Sequence, residues 1–173
     1  MNKNIVYAGT GHRPPRLNLD YSAISVDNLT NFAEIVLTGI PNPDRVIIGG
    51  AQGWDTALGL ACIKLKIPYQ VAIPFEGQED RWPVDSKFIY SQLIKNAEST
   101  VIICDSGYSK YAFLKRDEYM VDNCTEVLAL WDGSPKGGTW HTVNYANKLG
   151  KLVRNFWLEW SNYSAQTPPG LVK

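Results

Sequence analysis

Four short stretches concentrate the residue types that handle small anionic ligands. Gly9-Thr10-Gly11-His12-Arg13-Pro14 joins a histidine and an arginine to two glycines. Gly49-Gly50-Ala51-Gln52-Gly53-Trp54-Asp55 places a carboxylate behind three glycines. Pro74 to Asp85 carries Glu76, Glu79, Asp80, Arg81 and Trp82. Asp132-Gly133-Ser134-Pro135-Lys136-Gly137-Gly138-Thr139 is the fourth. Glycine lets backbone N–H groups approach a ligand closely, and a helix that starts there offers free donors and a positive dipole end to a phosphate. Arg13 and Arg116 bring planar sets of donors suited to phosphate oxygens. Asp55 suits a ribose hydroxyl or a proton transfer. Trp54, Trp82, Trp131 and Trp140 lie in or beside these stretches, and one of them stacking on a base is consistent with their type.

Each residue also has a plainer reading. Tight strand-to-helix turns use glycine for geometry alone, and neither GxGxxG nor GxxxxGK[ST] is present. His12 can cap a carbonyl, Arg13 can sit in a surface ion pair, and Asp55 can be a helix N-terminal acid. His141 is either a ligand contact near Gly137-Gly138-Thr139 or an exposed first-turn residue. Arg116, Met120 and Cys124 fall on one helix face at i, i+4, i+8. An arginine on that apolar stripe needs a partner, either Asp55 or Asp122 or a ligand anion.

The elements that must position these stretches alternate. Strands are expected at Ile5–Ala8, Asp44–Ile48, Tyr69–Ile73, Thr100–Cys104, Glu126–Trp131 and Lys151–Phe156. Helices are expected from about Tyr21 to Leu37 and at Asp55–Lys66, Ser86–Ala97, Ser109–Cys124 and Thr139–Leu149. Thr10 to Pro15 reads as a loop, because Pro14-Pro15 forbids a helix there. Such alternation implies an α/β fold: a Rossmann-like three-layer α/β/α sandwich with a mostly parallel sheet. Ligands of such sheets bind beyond the carboxyl ends of the strands, where all four stretches fall. Residues 1–160 are read as one domain and 161–173 as a loosely held C-terminal tail.

The balance of 17 basic and 17 acidic side chains speaks against a nucleic-acid coat or a polybasic membrane-surface protein. It leaves room for one small anion. Cys62, Cys104 and Cys124 are odd in number and lack CxxC spacing, so buried reduced thiols are expected and no metal site. No apolar run approaches the roughly 20 residues of a membrane span. The start of the chain does not read as a signal peptide, so a cytoplasmic location is expected.

Taken together, the GTGHRP, GGAQGWD, RDEYMVD and WDGSPKGGT stretches resemble the SLOG superfamily, which includes DprA and the LOG enzymes, and within it the YpsA-like branch. The resemblance covers nearly the whole chain to about Val153. It implies a Rossmann-like domain binding a nucleotide or nucleotide-derived ligand, ADP-ribose-like or a nucleoside phosphate, as a sensor, sequestering or carrier protein. With the loop reading, the candidate ligand-binding set is Gly9 to Arg13, Gly49 to Asp55, Trp82, Arg116, Asp132, Gly133 and Gly137 to Thr139, and no metal and no obligatory cofactor are expected. A homodimer is also in keeping with relatives. LOG enzymes hydrolyse the N-glycosidic bond of nucleoside monophosphates with an Arg from R-K-x-x-M and a Glu from PGGxGTxxE. Arg116 and Met120 fit the first motif, with Asp117 in place of Lys, but Thr142 stands where the second has Glu. An N-glycosidase reading therefore falls back on Asp55 or Glu76 beside Arg116. Single-stranded DNA binding, as in DprA, ranks lower because the lysines are scattered among acids.

Overall fold

The computed structural model describes residues 3–167. Among the described residues six strands and six α-helices alternate: β1 Val6–Gly11, α1 Ala23–Thr38, β2 Arg45–Ile48, α2 Trp54–Leu65, β3 Tyr69–Ile73, α3 Val84–Asn96, β4 Ser99–Ile102, α4 Lys110–Asp122, β5 Glu126–Leu130, α5 Gly137–Lys148, β6 Leu152–Asn155 and α6 Trp157–Gln166. The sheet order is β4-β3-β2-β1-β5-β6, and every pairing is parallel. Central strands of such a sheet are covered on both faces. This is why Val46-Ile47-Ile48 and Val127-Leu128-Ala129-Leu130 are unbroken apolar runs, all buried. One core joins the sheet to α1, α2, α3 and α6 through Phe32, Trp54, Leu58, Leu93 and Trp160. A smaller one lies under α4 and α5 through Met120, Val121, Cys124 and Ala146.

Local chemistry sets the ends of these elements. Ser22 caps α1 by accepting from the Ser25 N–H at 3.3 Å, and Ser109 caps α4 by accepting from Ala112 at 3.0 Å. Both connections leaving β1 decide where a ligand can lie. The chain goes one way from β1 through α1 to β2, while β5, reached from the far edge through α4, pairs with β1 on the other side. The strand order therefore reverses between β1 and β5, and the crevice above that point is the natural ligand site of an open parallel sheet.

Three expectations change. The first strand runs on through Gly9-Thr10-Gly11, because β5 supplies ladder partners for all three. Pro14-Pro15 does not leave a plain loop. The two prolines occupy the first positions of a 3-10 turn, Pro14–Leu17, where their missing N–H groups cost nothing. The tail expected from Ser161 begins inside α6, whose Trp160 and Tyr163 pack on Phe32 at 5.3 Å between ring centroids. Pro168-Pro169-Gly170 lie outside the described residues. Cys62 and Cys124 are buried free thiols and Cys104 is half-buried. No helix among the described residues is long and apolar enough to cross a membrane.

Candidate functional site

A cleft of about 810 Å³ opens at the C-terminal ends of β1 and β5, at the reversal of strand order. Its size suits a small organic ligand. Gly9 to Arg13 and Arg16 line it from the end of β1, and Ala51 and Asp55 from the start of α2. Lys110, Phe113, Arg116 and Asp117 line it from α4, and Lys136 to His141 from the start of α5.

Asp55, Arg116 and Asp117 form a buried charged group on one wall. Arg116 donates from Nε to Asp117 Oδ1 at 2.7 Å and from Nη1 to the Gly49 carbonyl at 2.6 Å. Asp55 Oδ2 accepts the Gly49 N–H at 3.0 Å. Burial raises the Asp55 carboxyl to about 6; the Arg116 charge opposes the rise and Asp117 adds to it. Burial also raises Asp117, against the pull of Arg116. A Cβ on Gly49 would lie 2.6 Å from Arg116 Cζ and 2.8 Å from Asp55 Oδ2, so glycine there is what lets the guanidinium reach the β2 end.

The start of α5 is different. No side chain caps it, and Gly137, Gly138 and Thr139 all line the cleft. Gly137 has φ 88° and open space around it, so its backbone turns in a way that favours glycine. Lys136 adds positive charge at this end, while the exposed Arg13, whose backbone lies against Gly53 at the start of α2, adds it elsewhere on the lining.

His12 lines the cleft, with Asp132 just behind it. His12 Nε2 lies 2.8 Å from Asp132 Oδ1, and Arg16 donates to Asp132 Oδ2 at 2.6 Å and to Ser134 Oγ at 2.7 Å. These bonds tie the segment after β1 to the segment after β5. Burial holds His12 below its usual value despite Asp132 beside it, so the ring is neutral near pH 7. Bonds from Ser134, His12 and Arg16 hold the Asp132 carboxyl below the usual range even though its partial burial opposes them.

Residues 10–154 match the family model YpsA, described as the YspA SLOG family. The chain belongs to this family. It is 34% identical over 141 residues to the uncharacterized SPbeta prophage-derived protein YoqJ of Bacillus subtilis, covering 70% of this chain and 80% of that one. It is 28% identical over 153 residues to UPF0398 protein OB1025 of Oceanobacillus iheyensis, covering 82% of each. Among solved structures, DNA processing protein A from Streptococcus pneumoniae superposes with a TM-score of 0.62 at 18% identity. The Helicobacter pylori protein, described for its single-stranded DNA binding mode, gives 0.61 at 15%. This chain is covered to 87% and 88% in these two matches but spans only 50% and 65% of those proteins. The protein TM1055 gives 0.54 at 16% identity, with 86% and 72% covered. These likenesses show a shared fold.

In this SLOG domain the cleft gathers Gly9, Thr10, Gly11, His12, Arg13, Ala51, Asp55, Arg116, Gly137, Gly138 and Thr139 from the sequence-derived set. The others stand outside its lining. Trp54 is a core residue: it is fully buried, its Nε1 donates to the Leu128 carbonyl at 3.2 Å, and its ring cannot stack on a base. Trp82 packs edge-on against Tyr90, and Glu76 is exposed on the far loop. Gly49, Gly50, Gln52 and Gly53 build the turn behind Asp55, Asp132 serves the inter-loop tie, and Gly133 turns beside it at φ 86°. Arg116 hydrogen-bonds its neighbour Asp117 and has Asp55 as a second charge partner; Asp122 instead accepts from the Tyr145 hydroxyl. Sequence reasoning missed Arg16, Lys110, Phe113 and Asp117. Lys110, Phe113 and Asp117 follow helical spacing toward one face, a signal present in the sequence; Arg16 left none. Among the described residues no three His, Cys, Asp or Glu side chains group as a metal site would need.

Proposed function

We propose that the cleft binds a nucleotide or nucleotide-derived ligand, such as a nucleoside phosphate or an ADP-ribose-like molecule, for sensing, sequestering or carrying it. The observation that carries this reading is the uncapped N-terminus of α5 opening onto a large cleft at the reversal of strand order. Free N–H groups of the first turn would hold a phosphate, with Lys136 beside it and Arg13 also on the cleft lining. Trp140, part of the lining and partly exposed, is the tryptophan available to a base. Isothermal titration against AMP, ADP and ADP-ribose tests the reading. Saturable 1:1 binding, weakened by Lys136→Ala, is expected; no heat with any of them overturns it.

Asp55 favours a second reading, hydrolysis of an N-glycosidic bond. Its carboxyl, buried against the cleft and raised to about 6, can pass a proton near neutral pH to a departing base while water takes the sugar carbon. Incubation with nucleoside monophosphates and chromatography for free base tests it. Turnover that survives Asp55→Asn removes Asp55 from that role.

A further inference from the structure

The cleft is electrically two-ended. Lys136 and the α5 N-terminus supply positive potential at one end. On the α2 and α4 side, two carboxylates flank one guanidinium. Arg116 is committed within the protein, to Asp117 and to the Gly49 carbonyl. Its charge offsets one carboxylate. The other remains an acceptor in a dry wall, and Asp55 takes only backbone donors, from Gly49 and Ala51.

Such a surplus acceptor favours a donor that carries no negative charge. A phosphate there would meet two carboxylates at short range. A pair of hydroxyls offers two donors and no charge. Asp117 is placed for this work: Oδ1 holds Arg116, the carboxylate also takes the Thr142 hydroxyl and faces His141, and Oδ2 lies 3.4 Å from where a Gly138 Cβ would stand, at the foot of α5. The carboxylate thus also borders the anion end.

Resting on the nucleotide reading above, we infer that Asp55 and Asp117 act together as the acceptors for the ribose 2′,3′-diol, with Asp117 as a specificity determinant that selects ribonucleotides and keeps the phosphate at the Lys136–Gly137 end. The α4 residue stands beside an α2 residue through Arg116, so the diol would be gripped from two helices. The raised Asp55 carboxyl fits a group that waits for donors.

Titration of the whole chain at pH 7.5 with ADP, 2′-deoxy-ADP, 3′-deoxy-ADP and inorganic pyrophosphate tests the inference. Wild type is expected to bind either deoxy form at least about tenfold more weakly than ADP. Asp117→Asn is expected to cut that preference below about threefold and to tighten pyrophosphate, since a like charge leaves the foot of α5. Should that variant not fold, Asp55→Asn carries the same comparison. Equal binding of ADP and its deoxy forms by wild type overturns the inference and leaves the nucleotide reading standing. A tenfold preference retained in folded Asp117→Asn removes Asp117 from the role. No binding of ADP or its deoxy forms overturns the inference, and the same result with AMP and ADP-ribose overturns the nucleotide reading as well.

Discussion

The turn from β2 to α2 and the turn from β5 to α5 look alike as sequence, each a glycine pair ahead of a helix, yet the protein uses them oppositely. The first is closed. At the start of α2 the Trp54 N–H goes to the His12 carbonyl, Thr56 N–H goes to the Ala51 carbonyl, and Gly49 is wedged against Arg116 and Asp55. The second is open: no side chain caps α5, and Gly137 has nothing near it. The first turn has glycine at Gly49 because there is no room for a side chain, and its Gly50 and Gly53 are both crowded and at positive φ. The other has it because the backbone must turn through a positive φ beside the cleft. A helix N-terminus is available to a ligand only when its own chain leaves the donors unused.

The largest expected break in this contrast is Gly49→Ala. The added methyl group would strike the Arg116 guanidinium, and the neighbouring Asp55 carboxylate cannot yield without leaving the Gly49 N–H. A loss of about 3 kcal/mol or more is expected. That is a fall in melting temperature of roughly 6–12 °C. A fall below about 2 °C would mean that the closed turn is not tightly built.

Asp55→Asn probes the same turn through pH. The Asp55 carboxyl is raised from 3.8 to about 6, so the folded protein holds this proton more tightly than the unfolded chain. The neutral form's contribution is complete below about pH 4 and is lost as pH rises through 6. The amide copies the neutral form. The variant should therefore be more stable than wild type at pH 8, by about 2 kcal/mol once the full shift is discounted, and no more stable at pH 4. Melting curves at the two pH values check this; an equal gain at both, or a loss at pH 8, contradicts the buried-carboxylate account.

The contrast between the turns marks the limit of what the sequence disclosed. Alternating apolar runs were enough for the parallel sandwich, because central strands covered on both faces must be apolar throughout. The Arg116-Met120-Cys124 stripe was legible for the same reason: all three face the interior. Trp54 was not. Its place just after a glycine loop suggested a stacking surface, whereas the start of α2 lies over the core and the indole fills it. Asp117 was hidden by a local rule. Adjacent helix residues normally point apart, yet the long Arg116 side chain bends back to reach its neighbour. Glu76 looked close to the chemistry only because its loop follows a strand. That strand, β3, is two places from β1 in the sheet.

The smallest stability effect and the sharpest functional one should come from Gly137→Ala. An added Cβ there meets nothing within 4 Å, so the cost is that of an alanine at φ 88°, about 1 kcal/mol. If the α5 turn relaxes to escape that conformation, the first-turn N–H groups no longer converge on the cleft. Pyrophosphate and ADP should then bind at least about tenfold more weakly, in a protein that melts only a few degrees lower. Gly49→Ala should show the reverse proportion, with most of its effect on melting. If Gly137→Ala instead leaves pyrophosphate binding intact, the positive φ serves only the geometry of the turn. The anion would then have to be held by Arg13 and Lys136 side chains alone, and the two glycine turns would differ in packing but not in purpose.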